Sequence, residues 1–151
     1  MGDVWLSVLG EVFDVTDGRN SYGEGSEYSF FAGKDASPCF STGKFNDEGL
    51  NDSLDDMKES AIGAVTHWRD FFRDDKQYKF IGLLESEYFD KVGSPSEYKK
   101  RIDARWVLFL YSDNMTSNNT PPSQVYICLL LPTWFLDVDI FIASHGFISR
   151  G

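Results

Sequence analysis

Tyr22 and Tyr28 stand six residues apart in residues 20–37, NSYGEGSEYSFFAGKDAS, a stretch too glycine-rich for a helix and too aromatic for an ordinary solvent loop. A free phenol has a pKa of about 10, yet a ferric ion on its oxygen holds it as phenolate, because the metal's charge reverses the protonation preference. Tyrosine serves as an axial haem ligand in this way. Such a site needs one ligand, an apolar slot for the macrocycle and a wet edge for its propionates. The segment supplies these types: Tyr28 or Tyr22 as ligand, Phe30 and Phe31 as walls, Lys34 near the rim. Gly23, Gly25 and Gly33 would let backbone pass close to a flat ligand. An aromatic loop packed on its own core uses the same composition.

Other chemistries lack their residues. His67 and His145 lie in unrelated segments, and no GxSxG elbow supports a Ser-His-Asp site. Cys39 and Cys128 are far apart with no CxxC pair, so a four-ligand structural zinc site is excluded. Cys39 follows Pro38 among apolar neighbours and reads as a packed thiol. No catalytic acid, base or nucleophile is assigned, so the chain reads as a non-enzyme. A formal charge of -10, from 24 acidic and 14 basic residues, opposes counterion-driven binding of nucleic acid.

These side chains need a scaffold, and 151 residues, 42% hydrophobic and 16% aromatic, suffice for one core. Residues 4–9 and 12–15 read as strands of a hairpin turning at Gly10-Glu11, and residues 16–19 then turn the chain. Asp35 is placed to cap a short helix reaching about Phe40, with Pro38 in its first turn. Residues 46–56 form a polar, acidic spacer. Asp56 and Glu59 have capping-box spacing before a helix whose stripe is Met57, Ala61, Val65, Trp68 and Phe72. Residues 73–76 end it, and residues 78–84 return as a strand. Residues 97–106 continue as a helix, residues 112–123 as a polar loop containing Pro121-Pro122. Residues 125–136 are apolar but shorter than the roughly 20 residues of a membrane span, and read as a buried strand pair or a poorly ordered tail. The N-terminus, MGDVWLSVLG, has no basic region and no long apolar run, so it carries no signal peptide. Residues 51–53 and 114–116 are glycosylation sequons.

The words VWLSVLGEVFDVTDGRNSYGEGSEYSFFAGKDAS, a helix ending HWRDFF and the strand KQYKFIGLL, in that order, resemble the cytochrome b5-like haem/steroid-binding domain, within it the membrane-associated progesterone receptor family. The resemblance covers about residues 4–89. It implies an α+β fold of residues 1–92, N-terminally shortened by a strand and a helix, and leaves residues 93–151 as an atypical, unmatched C-terminal tail, as a retained intron or alternative exon would. What it implies of the site is haem b on a Tyr28 phenolate, Tyr22 supporting that ligand, Asp35 of the Gly-Lys-Asp-Ala-Ser turn ordering the loop for haem binding, and Tyr78 beside the haem. The family's lysine before that last tyrosine is Gln77 here, with Lys76 one residue earlier. Electron-carrying relatives grip iron between two histidines, one in an HPGG loop that this sequence lacks. A phenolate favours Fe(III) and a low reduction potential. The resemblance also implies a secreted or endomembrane place, an effect on neuronal differentiation, a steroid ligand and cytochrome P450 partners. A haem-free protein-interaction or sterol-binding module and a b5-type electron carrier are the alternatives.

Overall fold

The computed structural model describes residues 2–118, with side chains described to Ser112. Alternation in WLSV and EVFD makes β1 (Trp5–Val8) and β2 (Glu11–Asp14), an antiparallel hairpin in which Leu6 faces Phe13 and Val8 faces Glu11. The turn is Leu9-Gly10 rather than the expected Gly10-Glu11, with φ of 54° and 79°. Positive φ at both central residues matches the twist of the flanking strands. Gly10 is required for a second reason: a Cβ there would meet Phe89 at 2.7 Å and Tyr88 at 2.8 Å.

A 3-10 turn (Thr16–Gly18) leads into α1 (Arg19–Tyr22), so one helical turn forms inside the segment expected to be non-helical. A second 3-10 turn spans Ser29–Phe31. The short helix expected from Asp35 begins later, as α2 (Cys39–Thr42), because the Asp35 carboxylate is committed to the hairpin and to Ser37. Within the acidic spacer Asn46 accepts from the Gly49 N–H and starts α3 (Asp47–Leu50). Ser53 likewise caps a 3-10 turn (Leu54–Asp56) around the fully buried Leu54.

The long helix α4 (Glu59–Asp74) therefore begins after Asp56, which does not cap it. The carbonyls before it are held instead by Arg105, whose guanidinium donates to Leu54 O at 3.2 Å, Asp55 O at 3.1 Å and Met57 O at 2.5 Å. Its buried face is Ile62, Gly63, Val65, Thr66 and Phe72, while Trp68 is 38% exposed. That rotation relative to the expected stripe follows from a second neighbour, α5 (Glu97–Asn118). The helix runs past Ser112, where a polar loop was expected, since turns nucleated by packing propagate at little cost. Residues 125–136 lie outside the described residues.

β3 (Lys79–Leu83) pairs antiparallel with β2, giving the order β1-β2-β3, with a bulge between the Val12–Gly82 and Phe13–Phe80 pairs. Helices on a small antiparallel sheet make the expected α+β architecture. At its centre Phe72 stacks on Phe13 with centroids 5.7 Å apart and touches Tyr22, Phe40 and Tyr78. Burying one such ring contributes about 2–3 kcal/mol.

Residues 97–106, assigned by the sequence to the tail side of a boundary at 92, pack on α4. Ile102 is fully buried, and Lys99 and Asp103 pair at 2.5 Å beside the Arg69–Glu11 pair. Burial pushes the Lys99 ammonium down, and Asp103 opposes that. A Cβ on Gly63 would run into the Trp106 ring. Gly63→Ala is therefore expected to lower stability by about 1–3 kcal/mol in urea denaturation, the usual cost of overpacking. A loss below about 0.5 kcal/mol would show that α5 does not hold this position.

Candidate functional site

Three turns position the tyrosines. Tyr22 ends α1, while the Tyr28 N–H donates to Ser21 O at 2.9 Å, which ties the two across the intervening glycines. Ser26 Oγ reinforces the bend by donating to Ser21 O and Gly23 O. Gly25 and Gly33 take φ of 78° and 73°. Both are left-handed turn positions that favour glycine, and a Cβ on either would meet nothing within 4 Å. Tyr78 arrives from the other direction, at the entry to β3.

The three phenol rings meet. Tyr22 lies 6.2 Å from Tyr28, tilted at 40°, and 6.2 Å from Tyr78, edge-on at 78°. From Tyr28 the contacts run through Phe45, Phe31, Phe40, Trp68 and Phe71 and return to Tyr78, closing a ring of aromatic groups around Phe72. Phe45, Trp68 and Phe71 on this circuit are 44%, 38% and 37% exposed, so the ring presents an open apolar face. An exposed cluster of large apolar side chains is uncommon on a monomer surface and marks a binding face.

The phenols differ in environment. Tyr22 is buried, and burial first, then the Tyr78 and Tyr28 phenols, push its ionisation well above the ordinary range. Tyr78 is raised by burial and by Asp75, with the Tyr22 contact opposing. Tyr28 is half-buried, and its hydroxyl has no hydrogen-bond partner among the described residues.

Burial likewise raises Tyr88 strongly, and Tyr98. A phenol raised on folding stabilises the fold below the unfolded pKa of about 10, and that stability is lost as pH climbs through the folded value. In a 295 nm titration, fewer than the seven phenols of the sequence are expected to ionise near pH 10. The remainder should appear together with loss of near-ultraviolet dichroism. Native and urea-unfolded curves that superimpose would contradict the buried phenols.

The other expected site residues are placed as follows. Asp35 lies at the far end of the loop, fastened to the hairpin turn, where its charge acts on the Tyr88 phenol. Phe31 is buried and stacks on Phe40 at 4.4 Å, so it is floor rather than wall. Lys34 lies over the Phe30 ring at 4.0 Å. Cys39 is buried and burial pushes its thiol up, as for a packed residue. His67 is exposed beside Trp68, on α4. Phe45 gives no sign in the sequence: an isolated aromatic residue in the polar stretch TGKFNDEG has no periodic signal.

Among the described residues no group of three His, Cys, Asp or Glu side chains could hold a metal ion. A half-buried phenol with no hydrogen-bond partner among the described residues, on an aromatic bed, suits a metal that brings its own ligands in a flat apolar ring. The donor set therefore fits haem.

The chain is similar to several known proteins. Residues 1–66 match the model described as cytochrome b5-like Heme/Steroid binding domain. Membrane-associated progesterone-binding protein 4 of Arabidopsis thaliana is 39% identical over 102 residues, 68% of this chain and 41% of that protein. Neuferricin is 40% identical over 101 residues in Danio rerio and 34% over 101 in Homo sapiens, covering 67% of this chain in each and 37% and 38% of the relatives. The chain thus spans about two fifths of the length of these curated relatives. A solved structure of a hypothetical Arabidopsis thaliana protein, described as having a cytochrome b5 like fold, shares 36% identity over 56% of this chain and 75% of its own, with a TM-score of 0.49.

Proposed function

From its membership of the cytochrome b5-like haem/steroid-binding domain family, among the membrane-associated progesterone-binding and neuferricin relatives, we propose that this chain is a non-catalytic haem-binding protein holding ferric haem b through the Tyr28 phenolate. The observation that carries the reading is the Tyr28 hydroxyl, half-buried and without a partner among the described residues, at the margin of an open aromatic face. Tyr22 is the poorer ligand, since burial and the Tyr78 contact hold its proton in place. Phe45, Trp68 and Phe71 would bed the macrocycle, and Tyr22 with Tyr78 would fix the ligand's flank. When bound, the haem supplies a ferric centre that an anionic oxygen stabilises over the ferrous state, which disfavours rapid electron shuttling. The resemblance supports a secreted or endomembrane setting, a part in neuronal differentiation and cytochrome P450 partners.

The test is titration of ferric haem into the chain, followed by resonance Raman spectroscopy. Saturation at one haem per chain with iron–phenolate modes is expected. Binding without those modes would move the ligand to another side chain. No saturable haem binding by a cooperatively folded chain would favour a sterol-binding or protein-interaction module on the same aromatic face.

A further inference from the structure

We propose that the ammonium of Lys34 receives the carboxylate edge of the macrocycle, so that the haem lies with its propionates toward Phe30 and away from Tyr78. This rests on the haem reading above and adds to it the orientation of the ligand. A chain of formal charge -10 repels a ligand edge that carries two carboxylates, so local cations decide where that edge can sit. The aromatic face is not charged alike at its two ends. At the Tyr78 end the Asp75 carboxylate acts on both Tyr22 and Tyr78, and Gln77, which precedes Tyr78, is uncharged. Lys79, which follows it, acts on Asp14. A propionate at this end would meet a like charge.

At the other end Lys34 is half-buried with Nζ 4.0 Å over the Phe30 ring, and Phe30 packs edge-on against Phe31 at 5.8 Å. Phe31 in turn touches Tyr28 at 6.4 Å and Phe45 at 5.1 Å. Two rings therefore join the ammonium to the proposed ligand and to the open face. A cation–π contact holds the charge in place without neutralising it. The carboxylates about it are engaged elsewhere: Asp35 accepts from Ser7, Gly10 and Ser37, and Asp52, which opposes Lys34 at the Cys39 thiol, pairs with Lys44 at 3.2 Å. Lys34 itself makes no ion pair among the described residues. Lys44 stands next to Phe45 in the sequence, yet Asp52 and Glu48 already hold it.

Titration of the full chain with ferric haem and, separately, with its dimethyl ester tests the orientation, because the ester keeps the iron and the macrocycle but has no carboxylate. The ratio of the two affinities is compared between variants, which cancels the different solubilities of the two porphyrins. At low ionic strength that ratio is expected to fall about fivefold in Lys34→Gln, the upper end for an ion pair near a surface, with the ester bound as before. Lys34→Arg should keep the wild-type ratio, and Lys34→Glu should lower it further. Lys44→Gln and Lys76→Gln should leave it unchanged. In 1 M salt, where the screening length is about 3 Å, the wild-type ratio should approach that of Lys34→Gln. Iron–phenolate modes should persist throughout, since Tyr28 is untouched, and circular dichroism melting checks that each variant is folded. A ratio unchanged in Lys34→Gln, or one that falls in Lys76→Gln, would overturn the orientation and leave the Tyr28 bond standing. No saturable binding of either porphyrin would overturn the haem reading and this one with it.

Discussion

A Tyr28→Phe chain is expected to bind ferric haem at least about a hundredfold more weakly than the unchanged chain, and to show no iron–phenolate mode. Loss of a residue that merely orients a metal ligand already costs 10–100-fold in affinity, so loss of the ligand should lie at or beyond that range. The substitution suits the question because phenylalanine keeps the ring that touches Tyr22, Phe31 and Phe45. It removes only a hydroxyl with no partner among the described residues, so folding stability should change by no more than about 0.5 kcal/mol. Tyr22→Phe and Tyr78→Phe provide the contrast. Each should retain the iron–phenolate modes and lose less affinity. Their effects should be non-additive, since the two phenols share one contact. An unchanged Raman spectrum in Tyr28→Phe would remove Tyr28 from the iron.

What is legible in the sequence follows from how local each signal is. The hairpin, α4 and β3 are readable because alternation and a four-and-three apolar repeat are properties of adjacent residues. Positions set by distant partners are not. Asp56 has the spacing of a cap, yet Arg105, 49 residues further on by numbering, holds the carbonyls that precede α4 and so moves its start to Glu59. Trp68 belongs to the expected stripe, yet the close approach of Trp106 to Gly63 rotates the buried face and leaves Trp68 part of the open one. At the site, the spacing of the tyrosines is enough to point to phenol chemistry. It does not determine that Tyr22 is buried while the half-buried Tyr28 hydroxyl has no partner among the described residues, nor that Phe45 closes the aromatic circuit. Those are outcomes of packing between α1, α4 and the entry to β3.

Asp35 shows the same dependence on distant partners, and its replacement is expected to have the largest effect on stability. Its Oδ2 accepts from Ser7 Oγ at 2.8 Å and from the Gly10 N–H at 2.7 Å; its Oδ1 accepts from the Ser37 N–H at 3.1 Å and Ser37 Oγ at 2.5 Å. Ser37 Oγ in turn accepts the Leu9 N–H at 2.6 Å, so one carboxylate ties both turn residues of the hairpin to the end of the tyrosine loop. Asp35→Ala strands donors that are wholly or partly buried, at about 1–3 kcal/mol for each one left unmade. Some will find water, so a net loss of about 3 kcal/mol in urea denaturation is expected, a large share of the 5–15 kcal/mol typical of a whole domain. Asparagine should recover little, because its amide turns an N–H₂ toward groups that are themselves donors. The Leu9 and Gly10 amides should exchange hydrogen faster in both variants, even where the chain remains folded. Haem affinity in Asp35→Ala should then fall in proportion to the freedom of the loop that carries Tyr28, with the iron–phenolate modes unchanged in whatever haem is bound. A loss of stability under about 1 kcal/mol would show that the hairpin turn does not depend on this carboxylate.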